Sequence, residues 1–289
     1  MTLIEGLRSS PGLLLFACVL LGLAVGSFLN VVAYRLPLMM HRAWWREARD
    51  ILRLPPRPEA TPLTLSQPAS RCPACGAAIA AHHNVPVLGW LWLRGRCAAC
   101  KARISPQYPL VEAISGVLSA VCALHFGWGP QLLPALLLTW ALLALTLIDL
   151  HTTLLPDDIT LPLLWLGLAL SLVPVFADMR SAVLGAIFGY LLLWLIYHLF
   201  RLATGKEGMG YGDFKLLAAL GAWLGWQSLP QVILMSSACG AVVGLGLILL
   251  RRKGRESPIP FGPFLAAAGW ITLLWGERIP LLSMAAAGG

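Results

Sequence analysis

Two kinds of residue in this chain are typical of chemistry rather than packing: aspartates beside apolar stretches and cysteines in paired turns. Asp213 follows the glycine-rich run Gly208–Gly212, and Asp149 ends an apolar stretch. A carboxylate at the edge of a membrane segment is costly and usually has a function. If the two carboxylates met, they could share one proton. One would then act as general base on a water molecule while the other protonated a peptide carbonyl.

Each of these acids also has a purely structural interpretation. Asp213 could N-cap the helix that follows it, and Asp149 could be an interfacial acid paired with a basic loop residue. Pro156 disfavours helix at the residue before it, so Asp157 or Asp158 could cap the next helix. We favour this capping role for Asp158 and leave it open for Asp157.

Two CxxC pairs, separated by 21 residues, form the second feature. They consist of Cys72, Cys75, Cys97 and Cys100. Four thiolates on two tight turns suit tetrahedral zinc, and four sulfur ligands leave no open position, so we expect a structural site. Disulfides or a redox pair are the alternative, which a cytoplasmic location would disfavour. We expect His82 and His83, which lie between the pairs, to face solvent.

The composition indicates a polytopic all-α membrane protein. Of its 289 residues, 58% are apolar and only 12% are charged, whereas about a quarter are charged in soluble domains. The first apolar run is too long for the core of a signal peptide, so we expect it to span the membrane. About eight transmembrane helices are predicted, near residues 11–34, 107–126, 130–149, 159–177, 182–200, 214–228, 230–250 and 259–276.

These helices define three parts: a first transmembrane helix within 1–34, a loop domain at 35–106, and a multi-helix membrane domain at 107–289. If the loop is cytoplasmic, eighteen of the 21 basic residues face inward and three face outward, as the positive-inside rule requires. Both termini then lie outside, and Asp149 and Asp213 lie near the same cytoplasmic face.

The net charge of +8 has a plain explanation in this orientation. Basic residues at the cytoplasmic face set topology and attract anionic lipid headgroups. Because they face a membrane and no recognition fold is visible, we expect no nucleic-acid partner.

Several segments together resemble one enzyme family. The glycine-bearing run Gly208–Lys215 resembles the GxGD signature of intramembrane aspartic peptidases. In combination with Gly26–Val32, Tyr34–Pro37, the cysteine quartet and the segment 149–158, it resembles the type IV prepilin peptidases across nearly the whole chain. That family combines a leader peptidase with an N-methyltransferase and serves type IV pili and type II secretion.

The resemblance implies an activity and a set of residues. Asp149 and Asp213 would be the catalytic pair, and the substrates would be prepilins and pseudopilins, cut at the cytoplasmic face of the bacterial inner membrane. The same protein would then methylate the new N-terminal amine with S-adenosylmethionine. The family associates methylation with the cysteine-bearing loop, where Gly95 is a candidate contributor; the termini would be periplasmic.

The resemblance also implies that the substrate carries a short basic leader ending in glycine, followed by a hydrophobic helix. This basic leader must approach a basic loop. We expect anionic headgroups or the acids Asp157, Asp158 and Glu112 to offset the repulsion.

Two other functional classes fit part of the sequence. An ion-coupled transporter would use intramembrane aspartates as proton relays, but it leaves the cysteine loop unexplained. A membrane scaffold with a zinc-binding module explains the cysteines but gives Asp213 no role.

Overall fold

The structure is a computed structural model that describes residues 3–55, 62–206, 208–250 and 260–276. Across these residues the regular elements are helices, with two isolated β-bridges, which confirms the all-α prediction. The α-helices are α1 (Leu3–Ser9), α2 (Pro11–Ile51), α3 (Leu88–Trp92), α4 (Gln107–Phe126), α5 (Leu132–Thr152), α6 (Asp157–Leu170), α7 (Met179–Thr204), α8 (Tyr211–Leu224), α9 (Leu229–Leu249) and α10 (Gly262–Trp275).

Apolar helices occur where all eight spans are predicted, but they differ in length. Five are long and apolar enough to cross a bilayer: α2, α4, α5, α7 and the segment Trp226–Leu247, which includes most of α9. Helices α6, α8 and α10 have 14 residues each, or about 21 Å. Because a bilayer core is about 30 Å thick, these three helices are shorter than a standard span.

Helix α2 is much longer than the first predicted span. It continues past residue 34, where we expected it to end, and runs to Ile51 with Pro37 inside it. The Ser10 hydroxyl accepts the N–H of Leu13 at its start, and Pro11 occupies the first turn, a typical helix beginning. Leaving the membrane does not require a helix to end, which hydropathy alone does not reveal.

The chain divides into two compact units, Met1–Leu132 and Leu133–Gly289. In the first unit, α2 packs closely on α4 because small residues face each other. A Cβ on Gly22 would overlap Ser119, and one on Gly26 would lie 2.8 Å from Cα of Glu112. The Ser115 hydroxyl donates to the Gly22 carbonyl at 2.6 Å. Small residues allow such close backbone approach between membrane helices.

Polar side chains of these two helices hold the loop between them. Arg35 donates to the carbonyls of Thr64, Leu65 and Pro68 at 2.7–3.3 Å. Buried Glu112 accepts the N–H of Val87 at 2.7 Å. The loop backbone is therefore tied to α2 through Arg35 and to the N-terminal part of α4 through Glu112.

The second unit is arranged around α8, which packs against α6, α7 and α10. Gly185 of α7 and Gly221 of α8 lie so close that a Cβ on either would overlap the other's backbone. Trp223 of α8 donates its indole N–H to the carbonyl of Leu163 in α6 at 2.8 Å. This central helix carries Asp213 in its first turn.

Candidate active site and metal site

Asp149 lies in the last turn of α5 and is only 4% exposed. Its Oδ2 accepts a hydrogen bond of 3.0 Å from the backbone N–H of Gly262, the first residue of α10. A helix N-terminus has free N–H groups and a positive dipole end, and both favour a carboxylate. The interpretation of Asp149 as an interfacial acid is therefore wrong, because the side chain is buried and its partner is a backbone amide.

Asp213 does not cap the helix in which it lies. Gly210 occupies the N-cap position of α8, and no side chain caps that end. Asp213 is 6% exposed, and its Oδ1 is buried without a hydrogen-bond partner among the described residues. A buried carboxylate oxygen without a hydrogen-bond partner destabilises the folded protein. Stability therefore does not explain why an aspartate is buried here, and a chemical role does.

The structure brings the two aspartates together. They come from different helices, 64 positions apart in the chain, yet lie close enough to interact electrostatically. Both are buried in the same unit. Two carboxylates in such proximity do not readily both ionise, and sharing a proton relieves the repulsion.

Leu155 links the parts of the site, and the sequence provided no signal for this role. A Cβ on Gly212 would lie 2.7 Å from Cβ of Leu155, and a Cβ on Gly262 would lie 3.1 Å from its Cδ2. Leu155 therefore fills the space between the start of α8 and the start of α10.

The glycines before Asp213 have different surroundings. A Cβ on Gly208 would lie 2.8 Å from the Phe200 ring, so this glycine is needed for packing. Gly210 is extended and has open space, since the nearest atom to its added Cβ is Oδ2 of Asp213 at 3.7 Å. Open backbone next to a buried carboxylate leaves room for a peptide to approach.

The capping roles considered for Asp157 and Asp158 are wrong. Pro156 is the N-cap of α6, and no side chain makes a capping hydrogen bond there. The Pro156 carbonyl accepts the N–H groups of Ile159 and Thr160. Both acids lie in the first turn instead, where negative charge is favourable. Asp157 accepts two hydrogen bonds of 2.7 Å from Lys215 Nζ, which joins α6 to α8. This pair is exposed and contributes at most about 1 kcal/mol.

A mostly apolar groove of about 310 Å³ lies in the second unit. It lies between α9, the glycine segment and the start of α10. Its lining residues are Met209, Ser237, Gly240, Ala241, Phe261 and Phe264. Met209 lies four positions before Asp213 in the chain, and Phe261 adjoins Gly262, which contacts Asp149.

The four predicted zinc ligands form one cluster in the first unit. Their sulfur atoms all lie within 4.8 Å of one another, and Sγ of Cys72 is 3.8 Å from Sγ of Cys100. A zinc ion with Zn–S bonds of about 2.3 Å requires sulfur separations of about 3.8 Å. All seven cysteines are among the described residues, and each is a free thiol. The geometry therefore fits a structural zinc site.

The two knuckles share one backbone conformation, related by a shift of 25 residues. In each, the first cysteine's N–H donates to a carbonyl five positions later, at Ala77 and Ala102. The residue after each second cysteine has positive φ, 71° at Gly76 and 61° at Lys101. Each turn therefore points its two sulfur atoms to the same side.

The pKa values of the clustered cysteine thiols also favour a bound cation. N–H groups of Cys100 and Ala99 lower the pKa of Cys97 to about 6. The Ala77 N–H lowers the pKa of Cys75, but hydrogen bonds with Cys100 and Cys72 outweigh it and raise that pKa to about 11. Four neighbouring thiols cannot all ionise together without a metal, which deprotonates its ligands.

Gly95 has a defined structural role beside this cluster. Its φ is 68°, and an added Cβ would lie 2.8 Å from the Trp90 ring. Its N–H donates to the Trp90 carbonyl, and its own carbonyl accepts the N–H of Ile104. His82 and His83 lie outside the sulfur cluster.

The metal site yields a direct prediction. Elemental analysis of the purified protein should give about one zinc per chain, and Cys72→Ser should lose it. Zinc should also leave as the pH falls, because protons compete for thiolates. Cys239→Ser is the matched control, since Cys239 is an exposed thiol on α9 outside the cluster. Metal-free wild-type protein with disulfides at these positions would contradict the site.

Comparisons with known proteins match both parts of the chain. The bacterial Peptidase A24 N-terminal domain matches residues 20–126, and the type IV leader peptidase family matches residues 136–245. Proteins named prepilin leader peptidase/N-methyltransferase are 54% identical in Stutzerimonas stutzeri, 55% in Aeromonas hydrophila and 53% in Pseudomonas aeruginosa. Each alignment covers 96% of this chain and 96% of the relative. No solved structure gives a significant match.

Proposed function

This chain belongs to the type IV leader peptidase family, and we propose that it cleaves the leader from prepilins and then methylates the new N-terminus. The names of its full-length relatives describe these two activities. The observation that carries the peptidase half is the buried proximity of Asp149 and Asp213. The five long apolar helices and the family assign it to the inner membrane as a multi-pass protein.

The cleavage step follows from two carboxyl groups that hold one proton between them. The ionised aspartate takes a proton from a water molecule, whose oxygen attacks the scissile carbonyl carbon. The protonated aspartate gives its proton to the carbonyl oxygen, which yields a tetrahedral diol. Collapse of the diol breaks the C–N bond, the departing amine receives one proton, and the pair is left with one proton again. Neither a metal nor a covalent intermediate is needed.

We place the apolar segment of the substrate in the groove of the second unit. Prepilins and pseudopilins carry a hydrophobic helix after the cleavage site, as the family resemblance implies. The groove is lined by Phe261, Phe264 and small residues of α9, and small residues let a second helix approach closely. Open backbone at Gly210 leaves room for the scissile peptide.

We propose that the loop is cytoplasmic and that both termini are periplasmic. Arg201 and Lys206 lie at the end of α7, and Lys215 lies at the start of α8, so basic residues flank the connection that leads to Asp213. The basic run 251–255 and Arg278, which also entered the charge count, lie outside the described residues. The positive-inside rule supports this orientation, with anionic lipid headgroups against the basic loop.

We assign methyl transfer to the first unit, whose match is the family's N-terminal domain. S-adenosylmethionine, when bound, supplies the methyl group for the new N-terminal amine. The cysteine cluster would hold zinc and fix the two knuckles, with Gly95 at the base of the second one. Gly95 remains the residue that we propose to contribute to this activity, through the turn that its positive φ allows.

The acids that we expected to receive the basic leader differ in their availability. Glu112 is buried and bound to the loop backbone, and Asp157 is paired with Lys215. Asp158 is exposed in the first turn of α6. Neither the transporter nor the scaffold gains support from the family matches.

The dyad is tested by cleavage of a purified prepilin in detergent. Asp149→Asn and Asp213→Asn should each lower kcat about 100- to 10,000-fold, the range that general acid–base catalysis contributes. Asp178→Asn is the control, since Asp178 caps α7 and asparagine caps equally well. Wild-type kcat in either dyad variant would refute the assignment.

The groove is tested by filling it. Gly240→Leu should raise KM for the prepilin about 10-fold, since an added side chain would contact Phe264 and occupy the groove, a loss of about 1.4 kcal/mol. Gly246→Leu makes the same change on α9 where an added Cβ has no neighbour within 4 Å. Equal KM values for the two variants would place the substrate elsewhere.

A further inference from the structure

The start of α10 contacts Asp149 directly, although 113 residues separate Gly262 from this aspartate in the chain. The Gly262 N–H donates to Oδ2 of Asp149 at 3.0 Å, and the contact is buried. Pro263 follows and has no N–H of its own, while the N–H groups of Phe264 and Leu265 return to the Phe261 carbonyl. Gly262 therefore supplies the N–H through which the first turn of α10 reaches the carboxylate.

Glycine is required here for space rather than for backbone conformation. Its φ lies outside the left-handed region that favours glycine, so other residues could adopt this backbone. An added Cβ, however, would lie 2.6 Å from Oδ2 of Asp149 and 3.3 Å from its Cγ. Any other side chain would push the carboxylate away from the amide that holds it.

We propose that Gly262 is a positioning residue for leader cleavage, because its N–H and its missing side chain fix the orientation of the Asp149 carboxylate. This inference rests on the proposed peptidase function. With Oδ2 held by the amide, rotation of the carboxylate is restricted and Oδ1 is left for water or for the partner aspartate.

The surroundings of the two aspartates support this role. Asp213 has a buried Oδ1 without a hydrogen-bond partner among the described residues, and its backbone donor is Gly210 at the start of its own helix. Asp149 is held instead by an amide from a different helix, that of Gly262. A fixed donor at a reacting carboxylate costs no reorganisation during the reaction. Misplacement of a reacting group by about 1 Å costs about 100-fold in rate.

Another glycine of α10, Gly269, allows a control variant that disturbs helix packing without contacting Asp149. Gly269 faces Leu220 of α8, and an added Cβ would overlap the leucine side chain without touching Asp149. Gly269→Ala therefore disturbs the seating of α10 on α8, whereas Gly262→Ala also displaces the carboxylate. A merely structural role would make the two variants alike.

The test compares these variants in prepilin cleavage with the full-length protein in detergent. Gly262→Ala should lower kcat about 100-fold and change KM much less, because neither Gly262 nor Asp149 is among the residues that line the groove. Gly269→Ala should lower Tm but keep a kcat near the wild-type value. Helical circular dichroism and Tm of the same samples show whether each variant is folded, because both glycines lie in the second unit.

A second variant isolates the hydrogen bond. Replacing Gly262 by glycolic acid exchanges the N–H for an ester oxygen and adds no side chain, so it remains informative if Gly262→Ala does not fold. It should lower kcat about 10- to 100-fold, the loss of one hydrogen bond to a charged group. Wild-type kcat in the ester variant, or equal kcat losses in Gly262→Ala and Gly269→Ala, would overturn the proposal. Failure of the wild-type protein to cleave would instead refute the peptidase function.

Discussion

The constraint on which the second unit depends is the burial of two neighbouring carboxylates inside an apolar helical unit. Asp149 has one backbone N–H as its partner, and Asp213 keeps a buried oxygen without one. Desolvation and mutual repulsion make this arrangement unfavourable by itself. It persists because the packing of the surrounding helices keeps both side chains buried, and proton sharing makes the resulting site useful.

Glycine contacts provide that packing. Gly185 lies against Gly221, Gly212 against Leu155, and Gly262 against Asp149 itself. Between membrane helices, close backbone approach replaces the hydrophobic effect as the source of association. The same small residues bring the beginnings of α8 and α10 to the end of α5. The glycines that allow close helix packing therefore also determine where the two aspartates lie.

Hydropathy and spacing predict much of this architecture, and their failures have physical causes. Apolar runs predicted the positions of the five long apolar helices among the described residues, because a bilayer requires continuous apolar stretches. The CxxC spacing predicted the cysteine cluster, because tight turns are local. The C-terminal end of α2 and the cap at Pro156 depend on backbone geometry, which composition does not encode. The roles of Gly262 and Leu155 could not be predicted from the sequence, because contacts between distant parts of the chain leave no local pattern near Asp149. The proximity of Asp149 and Asp213 likewise could not be predicted from the sequence, because it depends on how α5 and α8 pack.

The central claim is that Asp149 and Asp213 act as one unit, and a double-mutant cycle on single-turnover prepilin cleavage tests it most directly. Groups that act together lose their function together, so removing the second costs little once the first is gone. We predict that the cleavage rate of the double variant Asp149→Asn/Asp213→Asn lies within about 3-fold of the rates of the single variants. If the two groups acted independently, the fold-losses in rate of the single variants would multiply in the double variant. A double variant slower than both singles by the product of their effects would contradict the shared-proton account.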